Sequence, residues 1–424
     1  MAHEVNRLIV PQVTGCPDTN FGIVSSTVSS YEGESSANER TYLWFHAKKL
    51  PRAIMSKLVH GLGKNAQIWH LLAINLSSIT KLPMKIKLRY GENPHQKASA
   101  SPKTTRDVLA IARFKREDGS PFVGADASWI SITDLGRLIQ VVERFAAAYR
   151  KNISPSLPNV AVIVKHGSPC GAAFGKNGES VARDAWLGDP HAAFGGFLIV
   201  TFPFTAKIVE ALAYANGGRT PFLSGVAAPS FEKGVAEGIG AKSKGTHFIS
   251  NKALAEIPAQ ISKQNEISSA RDYILEQTST QFVPVFSRME YHGPVLSAHV
   301  SKEIFADLSL AYAVCSASTS NTVSLVKDGA LIGNAVGQQK RVGSAKLALR
   351  LAEESSHGTK GAVAVSDSYF PFPDGLEALA KGGVRAIFAT SGSVRDREVF
   401  ARAEELHVGM FTVSDKVGRM FAGH

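Results

Sequence analysis

The chain has 424 residues, with 47 Lys and Arg against 36 Asp and Glu and a formal net charge of +11. Hydrophobic residues make up 44% and charged residues 20%, proportions that exclude bulk disorder and describe a globular protein. No stretch approaches the roughly 18 uninterrupted apolar residues that span a membrane, and an acidic residue stands where a secretory leader carries basic ones. At about 100–200 residues per domain, the length fits two or three domains. Cys16, Cys170 and Cys315 are isolated, so neither a disulfide framework nor a CxxC pair is available, and a reducing, cytoplasmic setting is expected. The positive charge has two readings. A nucleic-acid binder concentrates Lys and Arg in a stripe, whereas here the densest cluster is Lys48–Lys49 near Arg52. An enzyme with anionic substrates gains from the same surplus.

Residues 1–84 differ from the rest. Ser25–Arg40 is polar and Ser-rich and reads as loop or disorder, and Ala53–Leu76 carries Ile54, Leu58, Leu62, Ile68 and Leu71 at helical spacing. From about Lys85, short apolar runs alternate with helical stretches. Val160–Val164 is expected as a strand buried on both faces, followed by a polar turn over Lys165–Pro169. Asn321–Lys327 and Ala330–Val336 flank Asp328–Gly329, a hairpin signal, because Asp-Gly suits a type I′ turn. The C-terminal part reads β-α-β-α-β: strand Ala362–Val365, helix Asp374–Lys381 closed by Gly382–Gly383, strand Val384–Ala389, helix Ser393–Leu406 with Ser393 as its cap, and strand Val408–Val413. That order implies a largely parallel sheet covered by helices. Two similar α/β halves fit the length, but no internal repeat stands out.

Several chemistries fail on spacing. Gly234–Ser243 lacks the GK[ST] of a phosphate loop, Cys170 has no second cysteine for a deaminase-type zinc site, and neither HExxH nor G-x-S-x-G occurs. In open α/β sheets ligands bind beyond the carboxyl ends of strands, and Lys165–His166 occupies that place after Val160–Val164. A lone His there is usually structural; a Lys-His pair followed at once by Gly-Ser-Pro carries more weight. Arg89–Tyr90 offers a guanidinium fork and a hydroxyl, or is a solvated turn. Gly195–Gly196 admits a ligand to the backbone or marks a bend. Thr390–Ser393 presents backbone N–H groups to an anion or only caps a helix.

Six segments, LRYGENPHQ (Leu88–Gln96), VKHGSPCG (Val164–Gly171), DPHAAFGGF (Asp189–Phe197), SNTVSLVKDGALIGNAVGQQKR (Ser320–Arg341), SDSYFPFPDG (Ser366–Gly375) and SGSVRDREV (Ser391–Val399), stand in an order that resembles the 5-aminoimidazole-4-carboxamide ribonucleotide (AICAR) transformylase family. That activity usually forms the C-terminal half of a bifunctional enzyme with IMP cyclohydrolase at its N-terminus. Residues 1–84 show no cyclohydrolase motif, so a transformylase without that domain is expected. The resemblance implies an α/β fold of two cytidine-deaminase-like units: residues 1–84 an extension, 85–250 the first unit, 251–345 a connecting region with the hairpin, and 346–424 the second unit. It further implies a homodimer with active sites at the subunit interface, no catalytic metal, and neither nucleic acid nor membrane as partner.

The implied reaction moves a formyl group from 10-formyltetrahydrofolate to the AICAR 5-amino group in purine biosynthesis. By resemblance His166 is the general base and Lys165 the cation that stabilises the transition state. Arg89, Tyr90, Gly195, Asn321, Arg341, Tyr369 and Arg419 match AICAR-binding positions, and Val342, Asp374, Ser393 and Val394 match the folate pocket. Departures are Ser224 where an acidic ribose ligand is usual, Tyr369 for Phe, Pro373 for Arg, and a tail one residue longer. They leave open a related amine as formyl acceptor in a side pathway, and a non-catalytic binding homologue.

Overall fold

The computed structural model describes residues 85–103, 105–236, 246–263, 265–294 and 298–423. The Ser25–Arg40 loop and the Ala53–Leu76 helix lie outside them. Residues 83–424 form one unit.

In chain order, β1 (Ile86–Lys87) and β2 (Ser99–Ala100) pair with each other, and β3 (Lys115–Arg116) follows. Helix α1 (Trp129–Asn152) starts at a reciprocal cap: the Ser128 hydroxyl accepts the Ser131 N–H and the Ser131 hydroxyl accepts the Ser128 N–H. Then come β4 (Asn159–Lys165), β5 (Ser168–Gly175), α2 (Gly178–Leu187), α3 (Pro190–Ala193), β6 (Phe197–Val200), α4 (Ala206–Ala215), β7 (Gly225–Ala228) and β8 (His247–Ser250). A separate ribbon, β9 (Asn265–Ala270) with β10 (Tyr273–Thr278), precedes β11 (Glu290–His292), α5 (Ala298–Ser316), β12 (Val323–Lys327) and β13 (Ala330–Ala335). The chain ends with α6 (Arg341–Glu354), β14 (Val363–Ser366), α7 (Asp374–Lys381), β15 (Ala386–Ser391), α8 (Asp396–Glu405), β16 (Gly409–Ser414) and α9 (Asp415–Gly418).

Twelve of these strands form one sheet in the order β11-β16-β15-β14-β12-β13-β5-β4-β6-β7-β8-β3. It consists of two halves with the same wiring. In each, a helix (α1 or α5) leads into a tight antiparallel hairpin (β4–β5 or β12–β13). A strand antiparallel to the first hairpin strand follows (β6 or β14), then two strands parallel to it (β7 and β8, or β15 and β16), and an antiparallel edge strand closes the half (β3 or β11). The repeat is written in the sequence as V-K-x-G-x-x-x-G-x-A: Val164, Lys165, Gly167, Gly171 and Ala173 recur as Val326, Lys327, Gly329, Gly333 and Ala335. The second glycine of each set serves close packing. A Cβ on Gly171 would lie 2.0 Å from the Ala185 carbonyl oxygen of α2, and one on Gly333 would lie 2.3 Å from the Ala348 carbonyl oxygen of α6. The hairpin expected in a connecting region is thus built into the second half of the sheet.

The halves meet at β13 and β5 through the ladder pair Ala330–Ala173. Phe174 N–H donating to Gly329 O (2.9 Å) and the Asn334 side-chain amide donating to Pro169 O (2.8 Å) reinforce the seam. Side-chain alternation sends Val160, Val162 and Val164 to one face and Ala161 and Ile163 to the other. On the first face α1 and α5 pack together, and one core runs across both halves from Leu135 and Val162 to Phe388 and Phe411. The opposite face carries two separate cores, one under α2 and α4 and one under α6, α7 and α8.

Three sequence expectations need correction. The turn after Val164 is the two-residue loop His166–Gly167, with Ser168 and Pro169 already in β5. The strand expected at Val384–Ala389 starts at Ala386 and runs to Ser391. Ser393 does not cap α8: Arg395 holds the cap position. Asp396 turns back to accept the N–H groups of Gly392 (2.6 Å) and Ser393 (3.1 Å), so those donors are not open to an anion.

Candidate active site

Strand polarity gathers the expected residues on one edge of the sheet. This edge receives the carboxyl ends of β16, β15, β14, β13 and β4 and the amino ends of β12, β5, β6, β7 and β8. Along it stand Arg419, Ser393–Val394, Tyr369, Asn321, Arg341, Lys165–His166, Gly195 and Ser224. From β16 to β8 is nine strand steps, about 43 Å at about 4.8 Å per step.

Lys165 closes β4, and its ammonium donates to the Phe194 carbonyl at 2.7 Å. His166 is exposed, with φ 53°, and Gly167 follows at φ 73°, the two positive values a type I′ turn requires. Both side chains open onto a cleft of about 360 Å³ that is also lined by Cys170, Asp189 and Asn334, so it spans the seam between the halves. Asp134 of α1 is 4% exposed, and its Oδ1 accepts the Gly167 N–H at 2.7 Å. Burial pushes its carboxyl up to about 6, opposed by that hydrogen bond and by His166 and Arg137. Burial also raises the Cys170 thiol to about 12, which leaves it neutral and unsuited to attack. Gly195 (φ 77°) donates its N–H to Phe222 O at 2.8 Å. Gly196 admits β4: a Cβ there would meet Ile163 at 2.9 Å.

Three strand steps from β4 along the same edge, a polar cluster lies at the amino end of β12. Arg341 is 8% exposed and spends its guanidinium inside the protein, pairing with Asp367 and donating to Asn321 Oδ1 at 2.6 Å. Asn321 in turn donates its side-chain amide to Gln338 O at 2.8 Å. Asp367 keeps a buried Oδ2 with no hydrogen-bond partner. Arg341 thereby ties Asn321, before β12, to Asp367, after β14. Arg419 is half exposed, stacks over Phe421 and donates to Asp415, whose other oxygen accepts the hydroxyls of Ser368 (2.8 Å) and Thr390 (2.6 Å). Burial works against the Asp415 carboxylate, but the donors Arg419, Thr390 and Ser368 together hold its carboxyl below the usual range. Tyr369 lies within electrostatic reach of Arg419.

The residues matched to folate surround the starts of α6 and α7. Val342 lies against Gly375, next to Asp374, whose carboxylate accepts the Gly375 N–H at 2.7 Å. Val394 is fully exposed and Phe372 is 48% exposed with the Arg395 guanidinium over its ring, which makes an open apolar shelf. At the far end of the edge, Arg89 lies over the Tyr90 ring and near His247. Burial, then Arg116 and Arg89, push His247 down to about 4, so it stays neutral between two cations. The Ser224 hydroxyl donates inward to Gly196 O at 3.1 Å.

This arrangement has a counterpart among known families. The family model described as AICARFT/IMPCHase bienzyme matches residues 20–351. The chain belongs to that family. The AICARFT/IMPCHase match begins inside the segment for which motifs alone give no relative. The bifunctional purine biosynthesis protein PurH of Thermotoga maritima is 30% identical over 334 residues, covering 79% of this chain and 63% of that protein. PurH of Prochlorococcus marinus is 32% identical over 339 residues (79% and 60%), and that of Bacillus subtilis 31% over 326 (77% and 57%). The chain thus spans about three fifths of these relatives. A solved structure of Acinetobacter baumannii RibD aligns over 29% of this chain and 40% of that one at 17% identity, with a TM-score of 0.16, too small an overlap to bear on the fold.

Of the AICARFT-type residues expected from motifs, the edge brings together Asn321, Arg341, Tyr369 and Arg419, and beside them Val342, Asp374, Ser393 and Val394. Lys165 and His166 stand apart at the seam, and Arg89 and Tyr90 at the far end. Motif reasoning missed Asp134, Asp367, Asp415, Arg116 and His247. Asp134, Asp367, Asp415 and His247 stand within or beside apolar sequence and Arg116 in a charged run, and only the fold shows that these groups turn toward this edge. No helix among the described residues is long and apolar enough to cross a membrane.

Proposed function

We propose that this chain transfers the formyl group of 10-formyltetrahydrofolate to the 5-amino group of AICAR, a step of purine biosynthesis in the cytoplasm. The observation that carries the reading is Lys165–His166 on a rigid two-residue turn, opening together onto the 360 Å³ cleft. The acceptor amine is a weak nucleophile because its lone pair is delocalised, so it must lose a proton as it attacks. His166 takes that proton as general base. The Lys165 ammonium has three donors and commits one to Phe194 O, which leaves the others for the oxyanion that forms on the formyl carbon. Collapse of the tetrahedral adduct breaks its bond to the folate nitrogen, which takes the proton from the His166 imidazolium and leaves as tetrahydrofolate, and the formamide remains.

Arg419 and Tyr369 suit the phosphorylated acceptor, and the Phe372–Val394 shelf with Asp374 suits a pterin, whose ring stacks on apolar surface and offers paired N–H donors to a carboxylate. Because Arg89 and Lys165 lie strand steps away from Arg419, we assign complete sites to a homodimer, each assembled from edges of two copies. No step calls for a metal. Purified protein mixed with AICAR and 10-formyltetrahydrofolate should release tetrahydrofolate, and His166→Ala should lower kcat by about 10³-fold or more. Absence of turnover in the wild type refutes the reading, and undiminished turnover in the variant refutes the base.

A further inference from the structure

We propose that Asp134 is a positioning residue that latches the His166 turn from beneath, and that Asp307 is its twin in the other half. This rests on the reading of His166 as the base. Asp134 Oδ1 accepts the Gly167 N–H at 2.7 Å. At the equivalent point of the second hairpin, Asp307 of α5 accepts the Gly329 N–H at 2.9 Å and the Asp328 N–H at 3.2 Å. Both aspartates are 4% exposed and precede a leucine on the helix that leads into the hairpin. The turns match in conformation: His166 and Gly167 have φ 53° and 73°, and Asp328 and Gly329 have 52° and 80°. The flanking lysines match too, because Lys327 donates to Gly358 O at 3.1 Å as Lys165 does to Phe194 O.

The same device thus holds two turns, of which one carries an imidazole and the other a carboxylate. Left-handed backbone is costly for a residue with a Cβ, and a buried carboxylate on the following N–H makes that conformation the stable one. A histidine held this way keeps its Cα–Cβ direction fixed toward the cleft. Asp307 supplies the control, because it does the same structural work on the opposite edge of the sheet.

The test uses the full chain and four variants. Asp134→Ala should lower kcat at least 30-fold with KM for both substrates within threefold, and should lower hydrogen-exchange protection of the Gly167 amide at least tenfold by NMR. Asp134→Asn keeps the Oδ1 acceptor and should stay within threefold of wild type in kcat and in Gly167 protection. Asp307→Ala should lose Gly329 protection to the same degree yet keep kcat within threefold. Asp134→Ser makes the first comparison if the alanine variant does not fold. Wild-type kcat in a folded Asp134→Ala, an asparagine variant as impaired as the alanine one, or an equal kcat loss in Asp307→Ala each overturns the proposal. The Gly167 amide readout needs no turnover: if the wild type proves inactive on these substrates, unchanged protection in Asp134→Ala still overturns the latch.

Discussion

Asp134 and Asp307 hold carboxyls that burial pushes from the ordinary 3.8 up to about 6, and Glu143, buried on α1, rises to about 7. In each case the folded protein binds the proton more tightly than the unfolded chain does. The stability associated with that proton is complete below about pH 4 and is lost as pH rises through about 6 for the two aspartates and about 7 for Glu143. Two units on one carboxyl correspond to about 3 kcal/mol as an order of magnitude. Urea unfolding should therefore show lower stability at pH 7.5 than at pH 4.5. Asp307→Asn, which removes one of these protons, should flatten the decline; an equally steep decline would place its source elsewhere. At this scale the sequence exposed Lys165 and His166 because a cation beside an imidazole after a buried run is uncommon. It concealed Asp134, because an acidic residue within a helix reads as solvent-facing until the helix's buried side is known. The pairing of Arg341 with Asp367 was likewise hidden, because the two lie 26 residues apart, beyond any local pattern.

Among elements, the β9–β10 ribbon stands out because both strands are exposed along their whole length, with Ile267, Tyr273, Ile274 and Leu275 each more than half exposed. Two strands alone are marginally stable in water, and this ribbon forms no ladder with the twelve-stranded sheet. A second copy of the chain is the occupant that the proposed shared sites call for. Sedimentation should show a dimer in the wild type. Ile274→Asp with Leu275→Asp should shift it toward monomer and lower turnover at least tenfold, and a monomeric, fully active wild type would remove the ribbon from that role. Hairpins also mark the limit of sequence reading. Asp328–Gly329 was legible because both residues favour left-handed backbone. His166–Gly167 was not, since histidine is not among the residues that dominate turns and Pro169 pointed to a longer loop. Val384 and Arg385 read as strand from their apolar context, yet they serve as the entry to β15 after Gly383, which has φ 80°.

For the molecule as a whole, the decisive fact is how the halves share their interior. One ladder pair joins them at the seam, but the core beneath α1 and α5 is continuous from Leu135 to Phe411. Losing either half would open that core to water at about 25 cal/mol per Å² of apolar surface. Residues 85–423 should therefore unfold in one calorimetric transition; two separate transitions would mean that the outer cores, not the shared one, govern cohesion. The α/β class and the final β-α-β-α-β run were legible from periodicity. The repeat was not, because its ten-residue signature is short and its copies are 162 positions apart, with His166 in one turn where the other has Asp328.

The antiparallel seam also has a practical side. It turns the second hairpin through half a revolution, so Asp328–Gly329 emerges at the rim opposite His166. That rim is a natural anchorage: a dye, an affinity handle or a surface tether placed there would leave the margin that bears His166 untouched, and one chain would carry its own attachment point at the far side from it.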